Sequence, residues 1–308
     1  MRLERIDRSR PVRPDGEDRY LVAGVQIGWN APTSPAAKSW SRRLARPGDP
    51  GRRPPTPATG ARLTQSSMPP TSIRNATGRN GPSPVLSISV TLAFAVLGDS
   101  IAYGQGAARP SDTISARLAA ELTSSGVPTE VRVFAVPGAD SHALASQIGH
   151  ATAWKPDLAL IIIGANDLTR FAPPQRAARQ LADAVRALRS AGAQVVVAPA
   201  PDLSVVPWVP PEMRTAVRAG SRMLQQAQTR AAAAAGAWIA DLGVTSTEAF
   251  ATDPALFSAD RFHPSSAGYA VITRALVSTI REAAAAAQSH STAIALSQIS
   301  PGNRNSDR

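Results

Sequence analysis

The 308-residue chain carries 33 Lys/Arg against 22 Asp/Glu, a net charge of +11, and contains no cysteine. Without cysteine there are no disulfides, no thiolate metal sites and no cysteine nucleophile, and no run reaches the ~18–20 apolar residues that cross a bilayer. The excess charge sits at one end: residues 1–90 hold 15 Lys/Arg and 6 Asp/Glu (net +9), whereas residues 91–308 hold 18 and 16 (net +2).

Residues 1–88 read as a disordered basic arm, because 13 of the 27 prolines fall in 1–85 and segments this polar bury too little apolar surface to offset chain entropy. Within the arm, only Tyr20 to Trp29 has the composition of a short strand. Clustered Arg attracts phosphate, but aromatics are too sparse for a stacking platform, so contact of the arm with nucleic acid or an anionic membrane is not expected. Arg74 and Arg79 ahead of the apolar run 85–97 imitate an export signal. No small-residue cleavage site separates that run from Gly98, and a cut there would remove the first strand. The run is therefore assigned to the core and the protein is expected to be cytoplasmic; Met68 is an alternative start.

From here the pattern alternates strand and helix. Val90 to Leu97 is apolar without alternation, as in a parallel strand covered on both faces. It runs into Gly98-Asp99-Ser100, where glycine permits a sharp turn, and Gly104 and Gly106 are expected to keep the following loop open. Ser111 or Asp112 can cap a helix to about Ser124. A second strand, Val131 to Val136, closes at Pro137-Gly138 and is followed by a helix from Ser141 to Ala153. Leu158 to Ile163 is a third strand, ending at Gly164-Ala165-Asn166-Asp167. Pro173 and Pro174 open a helix to Ser190, and Gln194 to Pro199 is a fourth strand. A Pro-rich loop carrying Trp208 leads to a helix over 211–235 and a fifth strand over 237–242. The last helix is expected from Ser265 to the alanines 283–287, with 289–308 as a flexible tail. This order implies an α/β domain over 89–288, with five parallel strands between helical layers.

Ligands of open α/β sheets gather beyond the carboxyl ends of the strands, and four residues fall there in order: Ser100, Gly138, Asn166 and His263. A serine hydroxyl needs a neighbouring base to attack, and His263 is the residue type for that task. Asp260, three residues earlier, can orient the other ring nitrogen in a single turn. The oxyanion that develops on an attacked carbonyl can be met by the N–H groups of Ser100 and Gly138 and the side-chain amide of Asn166. Asp99, His142 and Trp208 are candidate substrate contacts. The four histidines (His142, His150, His263, His290) show no metal-ligand spacing, so no metal and no cofactor are expected.

Gly98-Asp99-Ser100, Gly138, Gly164-Ala165-Asn166-Asp167 and Asp260-Arg261-Phe262-His263-Pro264 together resemble the blocks of the SGNH (GDSL-type) hydrolases over residues 92–287. The resemblance implies a flavodoxin-like three-layer α/β/α sandwich and metal-free esterase, lipase, thioesterase or carbohydrate-deacetylase activity on small acyl esters. Ile101-Ala102 stands where many members carry Leu-Ser or Leu-Thr, a departure expected to touch pocket lining rather than mechanism. An ordinary α/β-hydrolase elbow would need glycine two residues after the serine, and position 102 is Ala. The alternatives are an O-deacetylase of the same fold, or a non-catalytic binding module tethered to polyanions by the arm.

Overall fold

A computed structural model describes residues 91–299, with backbone alone at 243–245 and 291–299. The expectations for the arm over 1–88, its strand at 20–29 and the tail beyond 299 lie outside the described residues. Five parallel strands, β1 (Leu92–Gly98), β2 (Thr129–Val133), β3 (Leu158–Ile162), β4 (Gln194–Ala198) and β5 (Trp238–Ile239), form one sheet in the order β2-β1-β3-β4-β5. That is the doubly wound order whose switch point lies between β1 and β3. The chain also forms α1 (Ser100–Tyr103), α2 (Ile114–Ser124), α3 (Leu144–Trp154), α4 (Ala165–Thr169), α5 (Pro174–Ser190), α6 (Arg214–Ala234), α7 (Gly243–Thr252) and α8 (Ser266–Ile299).

Successive strand residues point to opposite faces, and both faces here are apolar. Phe94 and Val96 of β1, Leu158 and Leu160 of β3 and Val196 of β4 pack on one side with Leu118 of α2 and Leu276 of α8. Ala95 and Leu97, Ala159 and Ile161, and Val195 and Val197 pack on the other side with Ile148 of α3 and Leu181 and Val185 of α5. No strand residue needs to meet water on these three strands, which is why the sequence shows uninterrupted apolar runs.

Several boundaries differ from expectation. Asp112 does not cap α2; its carboxylate is taken by Arg109, Arg117 and the Ser266 hydroxyl. Residues Pro110–Asp112 form a 3₁₀ turn, and Thr113 caps instead, its Oγ1 accepting the Ala116 N–H. β2 begins two residues early, although Phe134 and Val136 still donate to Val96 and Gly98 of β1. β5 is only two residues long, and α4 and α7 were not expected. α8 continues to Ile299 rather than ending in the alanines, since no proline or glycine intervenes before Pro301. Among the described residues no helix is long and apolar enough to cross a membrane.

Candidate active site

β1 ends at Gly98, whose φ of 132° and contact with the Ile162 carbonyl leave no space for a Cβ. The Gln147 side chain of α3 holds this peptide from both sides: Gly98 N–H donates to Oε1 (2.8 Å) and Nε2 donates to the Gly98 carbonyl (2.9 Å). Ser100 then opens α1. Asp99 Oδ1 accepts the Ile101 N–H at 2.9 Å as its cap, and the Ser100 N–H has no acceptor among the described residues.

The second component is a tight loop between Phe257 and Pro264, which bridge each other, with Ser258 N–H donating to the His263 carbonyl and Arg261 at a φ of 57°. Asp260 organises it. Its Oδ1 accepts the Ser258 hydroxyl (2.8 Å) and the Phe262 and His263 N–H groups (2.9 Å each), and its Oδ2 lies 2.6 Å from His263 Nδ1. Burial works to raise the Asp260 pKa, but these bonds, led by that from the His263 ring, hold it down to about 2. His263 Nε2 lies 2.9 Å from Ser100 Oγ. The Phe262 ring meets the imidazole edge-on at 4.9 Å, and Trp208 stacks on Phe262 at 5.6 Å.

The loop after α1 is pressed against this turn rather than held open. A Cβ on Gly106 would come within 2.5 Å of the Pro264 carbonyl and 3.0 Å of His263 Cβ, and one on Gly104 would strike Thr113. Tyr269, fully buried on α8, donates its hydroxyl to the Gln105 carbonyl at 2.8 Å. These glycines serve close approach.

The third component is a turn, Val136-Pro137-Gly138-Ala139, closed by Ala139 N–H to the Val136 carbonyl (3.0 Å), with Gly138 at φ 82°. Proline followed by a left-handed glycine is the signature of a type II turn. Both following carbonyls are tied to the α4 segment: Arg170 donates to Gly138 O (2.9 Å) and pairs with Asp140 (2.8 Å), while Asn166 Nδ2 donates to Ala139 O (2.9 Å). Gly138 N–H has no acceptor among the described residues, and Asn166 keeps one amide hydrogen uncommitted. Buried Asp167 secures the far end by accepting the Ser141 N–H and hydroxyl (3.0 Å each). Gln228 of α6 ties β3 to β4 by accepting from Ala200 and donating to Ile163.

Ser100, Asp260 and His263 thus come together, and Gly138 and Asn166 are joined at the same sheet edge. Trp208 reaches the site through Phe262. His142 does not join it; the exposed ring lies 3.3 Å from Gln180 on α5. Asp99 faces inward at 1 % exposure, Ala102 is buried in the core, and half-buried Ile101 packs against it. Gln147, Gln228, Arg170 and Tyr269 carried no local signal in the sequence, and Asp167 only its place in the Asn166 block. Among the described residues no cluster of three or more His, Asp or Glu is arranged to hold a metal ion.

Asp99 has a measurable consequence. Burial raises its carboxyl from 3.8 to about 7, opposed by the N–H groups of Ile101, Ala165 and Gly164 and reinforced by the charge of Asp167. A carboxyl raised in the folded state binds a proton that the unfolded chain releases, so stability falls as pH rises from about 4 to 7 and is level beyond. Asp99→Asn keeps the capping oxygen and removes the titration. Its stability advantage over the wild type should grow across that window to at most about 4 kcal/mol, as read by urea melts at pH 5 and pH 8; equal advantages at both would overturn this.

The family model of the GDSL-like lipase/acylhydrolases matches residues 96–271. A GDSL-like esterase of Mycobacterium tuberculosis is 37% identical over 194 residues, a match covering 61% of this chain and 61% of that relative's length. The crystal structure of TesA superposes with a TM-score of 0.53 at 22% identity, over 62% of this chain and 98% of that one. An acetyl-xylooligosaccharide esterase from Geobacillus gives 0.51 at 19%, over 63% and 96%. These two likenesses are of fold.

Proposed function

Because the chain belongs to the GDSL-like lipase/acylhydrolase family, we propose that it hydrolyses carboxylic esters through an acyl-enzyme formed on Ser100. The observation that carries this reading is the continuous line from Ser100 Oγ through His263 Nε2 and Nδ1 to Asp260 Oδ2, with steps of 2.9 and 2.6 Å. Ser100 Oγ attacks the ester carbonyl as its proton passes to Nε2. The oxyanion is received by the N–H groups of Ser100 and Gly138 and the free amide hydrogen of Asn166. Nε2–H then protonates the alcohol oxygen as the C–O bond breaks. Water attacks the acyl-enzyme, giving up a proton to Nε2, and the acid leaves as that proton returns to Oγ. Asp260, ionised at any working pH, holds the imidazole tautomer that presents a bare Nε2 to the serine. Trp208, behind Phe262, is assigned to the wall on the histidine side.

A fluorophosphonate tests the nucleophile directly: it should leave one phosphonyl group, found by peptide mass spectrometry on Ser100, as hydrolysis of p-nitrophenyl acetate stops. A label elsewhere, or none with activity intact, would refute the assignment. Asn166→Ala should lower kcat about 10²–10³-fold with KM little changed, since its donor acts on charge that exists only in the transition state. A pure rise in KM would remove Asn166 from the oxyanion hole. A second reading, removal of acetyl groups from sugars, draws on the structural likeness to the acetyl-xylooligosaccharide esterase, and comparing acetylated oligosaccharides with simple acyl esters separates the two.

A further inference from the structure

The Gly138 N–H belongs to the Pro137–Gly138 peptide, the one whose flip converts a type II turn into type I and points that N–H the other way. Glycine has the widest backbone freedom of any residue. At φ 82° a Cβ here would meet nothing within 4 Å, so nothing packs against the Cα on that side. Hydrogen bonds on either side hold the peptide instead. Before it, Val136 N–H donates to Gly98 O at 3.1 Å; beyond it, Arg170 Nη2 donates to Gly138 O at 2.9 Å.

The short helix α4 aims Arg170 at this turn. The Arg170 N–H donates to the Asn166 carbonyl at 3.1 Å, one helical turn back, so the two side chains leave the same face. They reach successive carbonyls, Arg170 that of Gly138 and Asn166 that of Ala139. The other arm of the guanidinium, Nη1, lies 2.8 Å from Asp140 Oδ2, and Asp140 Oδ1 accepts the Ala143 N–H. The planar fork fixes two points of the turn at once, which a lysine ammonium cannot copy. Little stability depends on it. The Arg170 and Asp140 side chains are 54 % and 28 % exposed, and pairs this open add little, while buried Asp167 holds Ser141 independently.

We propose that Arg170 is a positioning residue of the oxyanion hole: by gripping Gly138 O from the segment that carries Asn166, it makes the Gly138 N–H and the free Asn166 amide hydrogen converge on one oxygen. This rests on the serine-esterase reading above. Arg170 touches no substrate and acts through Gly138.

The experiment measures kcat and KM on p-nitrophenyl acetate, melting temperature, and inhibition by phenylboronic acid, in the wild-type chain, Arg170→Ala and Arg170→Lys. The boronate adds to the serine oxygen as a tetrahedral anion and so reports on the same donors. Arg170→Ala should lower kcat about 10- to 100-fold with KM within about twofold, because a donor mis-aimed loses part of what a donor removed would lose. Boronate inhibition should weaken by a similar factor, and millimolar ethylguanidinium should restore part of kcat in this variant while leaving the wild type unchanged. Arg170→Lys, which keeps the charge but not the fork, should fall between the two and serves should Arg170→Ala fold poorly. A merely structural role lowers the melting temperature and the active fraction but leaves boronate affinity alone. Three results overturn the assignment: kcat within about twofold of wild type in both variants, a rise in KM alone, or lost kcat with unchanged boronate inhibition. Under any of them, fluorophosphonate labelling of Ser100 leaves the esterase reading standing. Absent labelling and no ester turnover in the wild type would remove that reading and the assignment with it.

Discussion

Ser100→Ala is expected to lower kcat on p-nitrophenyl acetate by about five to six orders of magnitude, the loss seen when a serine nucleophile is removed from a triad. The fold should survive. Ser100 is 4 % exposed and its hydroxyl bonds only His263, so the change removes one hydrogen bond, worth about 1 kcal/mol, and leaves a helix former in the first turn of α1. Residual turnover should come from the oxyanion donors, which the substitution does not touch. The double variant Ser100→Ala/His263→Ala should be scarcely slower than the single one, because groups acting in one proton transfer are not additive. Thermal melts and initial rates on the same preparation decide it, and a Ser100→Ala enzyme within tenfold of the wild type would mean the nucleophile lies elsewhere.

The parts of the fold visible in the sequence are those where one physical cause dominates. β1, β3 and β4 are buried on both faces, so their apolar runs are unbroken and their positions came out within two residues. β5 lies at the sheet edge, where the apolar stretch 237–242 promised six residues and the ladder supplies two. α4 is held by its neighbours rather than by helical period: Asp167 reaches Ser141 and Asn166 reaches Ala139. Ser100, Gly138, Asn166, Asp260 and His263, which the fold gathers at one sheet edge, are legible in the sequence because each joins a telling residue type to a strand end or a one-turn spacing. The residues that hold them are not. Gln147 is 49 positions from Gly98, Arg170 is 32 from Gly138 and Gln228 is 65 from Ile163, and an isolated Gln or Arg shows no sign of such a partner. Asp99 was misplaced for a related reason. Adjacency to Ser100 suggests a substrate contact, yet its cap on Ile101 turns the carboxylate into the interior.

Asp260→Asn tests whether the carboxylate does more than shape its loop. Asn can keep Oδ1 in place to accept the Ser258 hydroxyl and the Phe262 and His263 N–H groups, so the turn should persist. Opposite His263 Nδ1 the oxygen becomes an NH₂ donor, and Nδ1 must then accept. The proton of the neutral imidazole moves to Nε2, which faces Ser100 Oγ and can no longer take its proton. An expected fall in kcat of about 10⁴ near neutral pH follows from this tautomer exchange. Asp260→Ala should fall at least as far and also melt lower, since three further hydrogen bonds are lost with it. The pH profile adds an independent check. A carboxyl lowered from 3.8 to about 2 stays ionised in the folded protein, and so keeps orienting the imidazole, down to about pH 2, while its contribution to stability is complete above about pH 4 and is lost as pH falls from there through 2. Any decline of wild-type rate between pH 4 and 6 therefore belongs to another group. An Asp260→Asn enzyme that keeps a tenth or more of wild-type kcat at pH 7 would reduce Asp260 to a structural cap and leave His263 without an orienting acceptor.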